Sequence, residues 1–219
     1  MIDVLILSNA KDVQCMNITL NALISLRNSK NVTPLNIVVI EQQKNITYDG
    51  VKTLHYDFNF HYHKCLNYAI SKTKNKYIVM CNNDLEFEDY WADKLMIAFG
   101  MGYRSLSPYC RRSHKVDSGD HLYEGYIVGV HILGSCIAVE RNVIKEIGGL
   151  NEDVEFWYSD NIYGEQIKKA KFKHALVCNS FVTHTASSTL NTVANMERRR
   201  ITGGQKKKYQ KALKNLYNA

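Results

Sequence analysis

Tyr77-Ile78-Val79-Met80-Cys81-Asn82-Asn83-Asp84 joins five apolar residues directly to three polar ones. A run of that length, entered from Lys74-Asn75-Lys76, predicts a buried strand that ends in a polar turn. Toward the N-terminus the same pattern recurs. Residues 4–7 read as a strand, and Val13, Met16, Leu20, Leu23 and Ile24 follow at helical spacing. Beyond Pro34, Ile37-Val38-Val39-Ile40 is β-branched throughout, which suits a strand buried on both faces. A short strand is predicted over residues 53–56. Tyr62, Cys65, Leu66, Ala69 and Ile70 then form a second helical stripe. Strands alternating with helices in this way predict an α/β fold with a parallel sheet.

Toward the C-terminus the pattern is less regular. Residues 90–99 read as a helix, and residues 100–125 as mostly loop. Gly134-Ser135-Cys136-Ile137-Ala138-Val139 reads as a strand, and residues 141–147 as a helix stopped by Gly148-Gly149. A helix is predicted over residues 160–170, and a last strand over 175–178 leading to Phe181-Val182-Thr183-His184.

In such sheets ligands bind beyond the carboxyl ends of the strands. Three of those ends are polar here: Ser8-Asn9-Ala10, Glu41-Gln42 and Asn82-Asn83-Asp84. Asn and Asp are also turn and cap residues, but three polar ends converging on one crevice favour a nucleotide ligand. Asp84 can hold Mg²⁺ or Mn²⁺, hard cations that complete their shell with diphosphate oxygens. His184 joins it if the last strand returns to that place. In Glu155-Phe156-Trp157-Tyr158-Ser159-Asp160 aromatic residues precede an acid at a helix start. Ser159 or Asp160 caps the helix on one reading; on the other, Asp160 is a general base beside an aromatic wall for a sugar.

Composition narrows the class. The 219 residues are 45% hydrophobic, with 2 Pro and 12 Gly, which excludes collagen-like and wholly disordered chains. No run approaches the ~18 apolar residues of a membrane span. The opening Met1-Ile2-Asp3-Val4-Leu5-Ile6-Leu7 lacks a basic leader, so a cytoplasmic protein is expected. The 6 cysteines are scattered and read as buried reduced thiols. The net charge of +7 is uneven: 8 basic and no acidic residues lie from Arg198 onward. Removing those eight from the 28 basic residues leaves 20 against 21 acidic ones, so the body is near neutral.

The order of segments resembles an inverting nucleotide-sugar glycosyltransferase of the GT-A fold, similar to the family 2 group. The resemblance rests on Leu7-Ser8-Asn9 and Ile40-Glu41 at two strand ends, and on Lys64-Cys65-Leu66-Asn67-Tyr68-Ala69 in a helix. It continues in Asn82-Asn83-Asp84, Gly134, Arg141, Gly148-Gly149-Leu150-Asn151-Glu152, Ser159-Asp160 and His184. Asn82, Asn151 and Ser159 stand where the family usually has acids. It implies a Rossmann-like, mixed and mostly parallel sheet flanked by helices over residues 1–187, with a basic helical extension over 188–219. It implies donor contacts from Leu7, Ser8, Asn9, Glu41, Asn67, Asn82 and Asn83, with a UDP-sugar favoured. Asp84 and His184 would hold Mn²⁺ or Mg²⁺; Asp160 would be the base, beside Gly134, Trp157, Tyr158 and Ser159.

Behind Gly203-Gly204, Tyr209, Ala212, Leu213, Leu216 and Tyr217 make a helical stripe among lysines. Such a helix docks by its stripe, lies on a membrane, or meets phosphates. Arg198, Arg199 and Arg200 with Lys206, Lys207, Lys208, Arg111 and Arg112 could form one surface for nucleic acid. The Asn-, Lys-, Ile- and Tyr-rich composition fits an AT-rich, viral genome. The acceptor expected on that reading is a hydroxymethylated pyrimidine in DNA. A cell-surface saccharide or lipid-linked glycan, met by peripheral membrane contact, is the alternative acceptor. A nucleotidyltransferase or a non-catalytic nucleic-acid module is the alternative of another class.

Overall fold

A computed structural model describes residues 1–185 and 203–218. The strands are β1 (Ile2–Ser8), β2 (Leu35–Glu41), β3 (Lys52–His55), β4 (Tyr77–Asn82), β5 (Leu85–Phe87), β6 (Ser105–Cys110), β7 (Leu122–Glu124), β8 (Cys136–Glu140) and β9 (His174–His184). The helices are α1 (Val13–Asn28), α2 (Tyr62–Ser71), α3 (Trp91–Gly100), α4 (Arg141–Glu146), α5 (Ser159–Lys169) and α6 (Gln205–Asn218).

All the strands form one sheet in the order β3-β2-β1-β4-β8-β6-β9-β5, with β7 also paired to β9. Strands β1, β2, β3, β4, β6 and β9 run one way, and β5, β7 and β8 the other. The α/β fold is as the hydrophobic pattern predicts; the sheet is mixed and mostly parallel, where that pattern predicts a parallel one. Because successive side chains of a strand face opposite ways, each central strand feeds two cores. Ile2, Val4 and Ile6 of β1 pack with Leu23 and Leu26 of α1 and with α3. Leu5 and Leu7 pack on the other face with Leu66 and Ala69 of α2, Val143 of α4 and Ile167 of α5. Strands buried on both faces have no polar positions to spare, which is why they read as continuous apolar runs.

The chain leaves β1 toward β2 on one side and comes back to β4 on the other, so the strand order reverses between β1 and β4. The register places Leu7 beside Asn82 and Ser8 beside Glu41, setting three polar ends around that switch point. At the opposite end of β1, the Arg141 guanidinium donates to Asp3 Oδ2 at 2.8 Å and to Asn75 O and Ile70 O at 2.7 Å. Arg141 thus clamps the sheet far from the crevice.

Residues 100–125 are mostly loop, as expected, but they also hold two strands the sequence reading did not find: β6, buried along its whole length inside the sheet, and β7. Its sequence, Ser105-Leu106-Ser107-Pro108-Tyr109-Cys110, carries hydroxyls and a proline that mask a strand. The hydroxyls are satisfied internally. Ser105 Oγ lies 2.7 Å from Tyr163 Oη and 2.8 Å from His174 Nδ1, and Ser107 Oγ accepts from Leu133 N. Pro108 sits where the β6–β9 register shifts, the place where a strand tolerates a missing donor.

Helix α6 lies against the body. Ala212, fully buried, packs with Tyr209 and Leu216 on Val154, Tyr158 and Ile162. The Tyr158 and Tyr209 rings stack at 5.2 Å, and Lys208 pairs with Glu155. All six cysteines are free thiols, buried. No helix among the described residues is long and apolar enough to cross a membrane.

Candidate active site

The polar ends of β1, β2 and β4 meet, and they meet each other first. Tyr48 Oη donates to Glu41 Oε2 at 2.9 Å, so the single Ser8 proton goes to Tyr48 at 3.0 Å. Ser8 then accepts from Thr19 Oγ1 at 2.8 Å, and Thr19 from Asn83 Nδ2 at 2.9 Å. The donations run in one direction and end on the Glu41 carboxylate, whose Oε1 also takes Ala10 N and Gln43 N. Burial first, and then the Glu41 charge, pushes the Tyr48 phenol up to about 12, so it remains a donor. This network braces the loop after β1. Leu7 is core, and Asn9 Oδ1 accepts from Gln43 Nε2. Asn67 spends its amide on Leu150 N, Leu150 O and Glu152 Oε1, holding the turn in which Gly148 and Gly149 take φ of +76° and +90°.

Next to that brace, antiparallel pairing of β5 with β9 sets His184 opposite Leu85 and brings it back to Asp84 across a hundred residues of chain. His184 Nε2 lies 2.9 Å from Asp84 Oδ1, with side-chain exposures of 20% and 5%. The imidazole nitrogen is not aligned for a hydrogen bond to any described residue. Two atoms bound side by side to one octahedral ion at 2.0–2.1 Å stand about 3 Å apart. Asp84 and His184 are the residues that could hold Mn²⁺ or Mg²⁺, through one carboxylate oxygen and one imidazole nitrogen.

Asp160 begins α5. The chain enters that helix through Tyr158 in the left-handed region (φ +70°), a conformation that costs a non-glycine residue about 1–3 kcal/mol and persists where packing imposes it. Ser159 Oγ donates to Phe156 O and tightens the turn, which sends the Asp160 carboxylate inward against Gly134. A Cβ placed on Gly134 would stand 2.3 Å from Asp160 Oδ2, so only glycine leaves room for this carboxylate. Burial raises the Asp160 carboxyl above its ordinary value, opposed by the Asn161 N–H at 2.9 Å.

One phenol joins the two halves. Tyr62 Oη shares its proton between Asn82 Oδ1 at 3.1 Å and Gly134 O at 3.2 Å. Its acidity is suppressed by burial and then by the charges of Asp160 and Asp84. Asn82 N in turn donates to Ser135 O at 2.9 Å. The end of β4, the Gly134-Ser135 entry to β8 and the start of α5 therefore form one constellation. Sequence reading assigned Tyr62 only to the apolar stripe of α2, and its spacing gave no sign of the second role.

A cleft of ≈ 980 Å³ opens from Asp160. Trp157, 46% exposed, and Tyr158 line one side; Gly204, Gln205, Lys206 and Lys207 line the other. Of the expected basic surface, Arg111 pairs with Glu88 at 3.3 Å and lies 4.1 Å over the Phe181 ring, while Arg112 is exposed. Lys208 is taken by Glu155, and Arg198, Arg199 and Arg200 lie outside the described residues. No protein-family model matches the chain, and no curated protein matches it either.

Proposed function

We propose that the protein is an inverting glycosyltransferase that moves a sugar from a nucleoside-diphosphate donor to an acceptor hydroxyl. The observation that carries this reading is a half-buried carboxylate, Asp160, packed against Gly134, whose carbonyl shares the Tyr62 proton with Asn82 at the end of β4, two residues before the Asp84 that meets His184. A base of raised pKa is suited to taking a proton near neutral pH. Asp160 accepts the proton of the acceptor hydroxyl as its oxygen forms a bond to the anomeric carbon. The bond from that carbon to the diphosphate breaks with its electron pair, and the configuration inverts. A divalent ion on Asp84 and His184 would neutralise the charge of the departing diphosphate. Gly134 leaves room for the Asp160 carboxylate, Asn161 N donates to it, and Trp157 offers an exposed ring face for the sugar.

The test is release of nucleoside diphosphate from a panel of sugar donors, with and without Mn²⁺. Asp160→Asn keeps the size of the side chain and removes the base. Its turnover should fall by about 10²–10⁴-fold while donor affinity stays within about threefold. Wild-type turnover by Asp160→Asn would overturn the assignment.

A further inference from the structure

We infer that the N-terminus of α6 is a phosphate-binding site for the acceptor, placed across the cleft from Asp160, and that this acceptor is a strand of nucleic acid. The N–H groups of the first turn of a helix have no acceptor within it and carry the positive end of its dipole. In α6 that turn contains Lys206 and Lys207, exposed and without an acidic partner among the described residues, and it holds no acidic residue. A second observation points to a ligand. Gln205 is 2% exposed, lines the cleft, and accepts Glu155 N and Phe156 N through Oε1. Those two donors fix which end of the amide is oxygen. The other end, Nε2, is a buried donor with no acceptor. A lone buried donor of this kind is destabilising while it stays unpaired. A phosphate oxygen seated at this helix end would accept from it.

The choice of a strand over a lipid follows from what α6 has already spent. Tyr209, Ala212 and Leu216 of its apolar stripe pack on Val154, Tyr158 and Ile162, and the exposed Tyr217 is tied to Glu165 through its hydroxyl, which leaves little apolar surface for a bilayer. The face left to solvent bears Lys206, Lys207, Lys211 and Lys214 along a helix of 14 residues, the geometry for a run of phosphates. A cleft of ≈ 980 Å³ is at the upper end of the ~300–1,000 Å³ usual for small-molecule sites. It can take a splayed nucleotide whose hydroxyl reaches Asp160, the step that rests on the transferase reading.

The probe is a short fluorescent single-stranded DNA carrying one 5-hydroxymethylpyrimidine, followed by anisotropy over a range of salt. Gln205→Glu keeps the oxygen that holds residues 155 and 156 and replaces the free donor by a negative charge. Gln205→Glu and the double variant Lys206→Ala/Lys207→Ala should each weaken binding about tenfold or more. The double variant should also flatten the salt dependence by about 1.4 in log–log slope, two phosphates' worth. Unchanged affinity in both variants would overturn the site, as would tighter binding to phosphatidylglycerol vesicles than to the strand. Release of nucleoside diphosphate from donor and water alone is followed in the same preparations. Donor turnover with no strand binding removes the phosphate site and leaves the transferase, and strand binding with no donor turnover does the reverse.

Discussion

Gly134→Ala is the sharpest probe of the constellation, because it adds one methyl group and leaves the chemistry of every reacting side chain unchanged. The new Cβ would stand 2.3 Å from Asp160 Oδ2, 2.9 Å from Cγ and 3.0 Å from Cβ. Ordinary contact between such atoms is at about 3.5 Å, so the carboxylate must retreat by about 1 Å. The backbone at Gly134 has no positive φ that an alanine would strain, which leaves the fold room to tolerate the change. A displacement of about 1 Å in a positioned group costs on the order of 10²-fold in rate. Nucleoside-diphosphate release should therefore drop about 10²-fold, with the melting temperature and donor affinity near those of the wild type. The acid limb of the wild-type pH–rate profile should lie above the usual carboxylate range, because burial raises the Asp160 carboxyl. Turnover within twofold of the wild type in Gly134→Ala would refute the placement of Asp160 as base.

Mn²⁺ affinity, measured by titration calorimetry in the presence of UDP, should fall by more than about tenfold in Asp84→Asn and in His184→Ala, since even outer-shell partners of a metal cost that much. Equal affinity in both variants would remove the ion from this pair. Burial holds the imidazoles of His63 and His174 down to about 4, so both are neutral in the folded protein at neutral pH. Between pH 6.5 and 4 the unfolded chain binds these protons and the folded one does not, so stability falls as the pH is lowered through that window. The ceiling is about 3 kcal/mol for each histidine, and urea unfolding at a series of pH values reads it. A flat stability across the window would show that these rings are charged or exposed.

Much of the architecture is legible in the order of residues because it depends on local chemistry. The short, wholly β-branched run Ile37–Ile40 favours a strand covered on both faces, and the i, i+3, i+4 stripe of α2 buries one face of a helix. The polar ends after β1, β2 and β4 are legible for the same reason. Strand β6 is not: its serines look like loop until Tyr163, His174 and Leu133, from three distant segments, supply their partners. The roles of Ser8, Glu41 and Asn67 are similarly invisible. Polar residues at a strand end point outward or inward according to neighbours dozens of positions away, and here these three are bonded to the protein itself.

What the sequence alone determined is the helices, the strands of continuous apolar residues and the identity of the acids and the histidine, because helix and strand periods and side-chain chemistry are properties of the chain. Only the tertiary structure decided that His184 returns to Asp84, that Gly134 makes room for Asp160, and that Tyr62 links them. It also decided that α6 spends its apolar stripe on the body and turns Gln205 toward the cleft. These are contacts between residues 20 to 100 positions apart, created by strand pairing and core packing, and no local pattern encodes them.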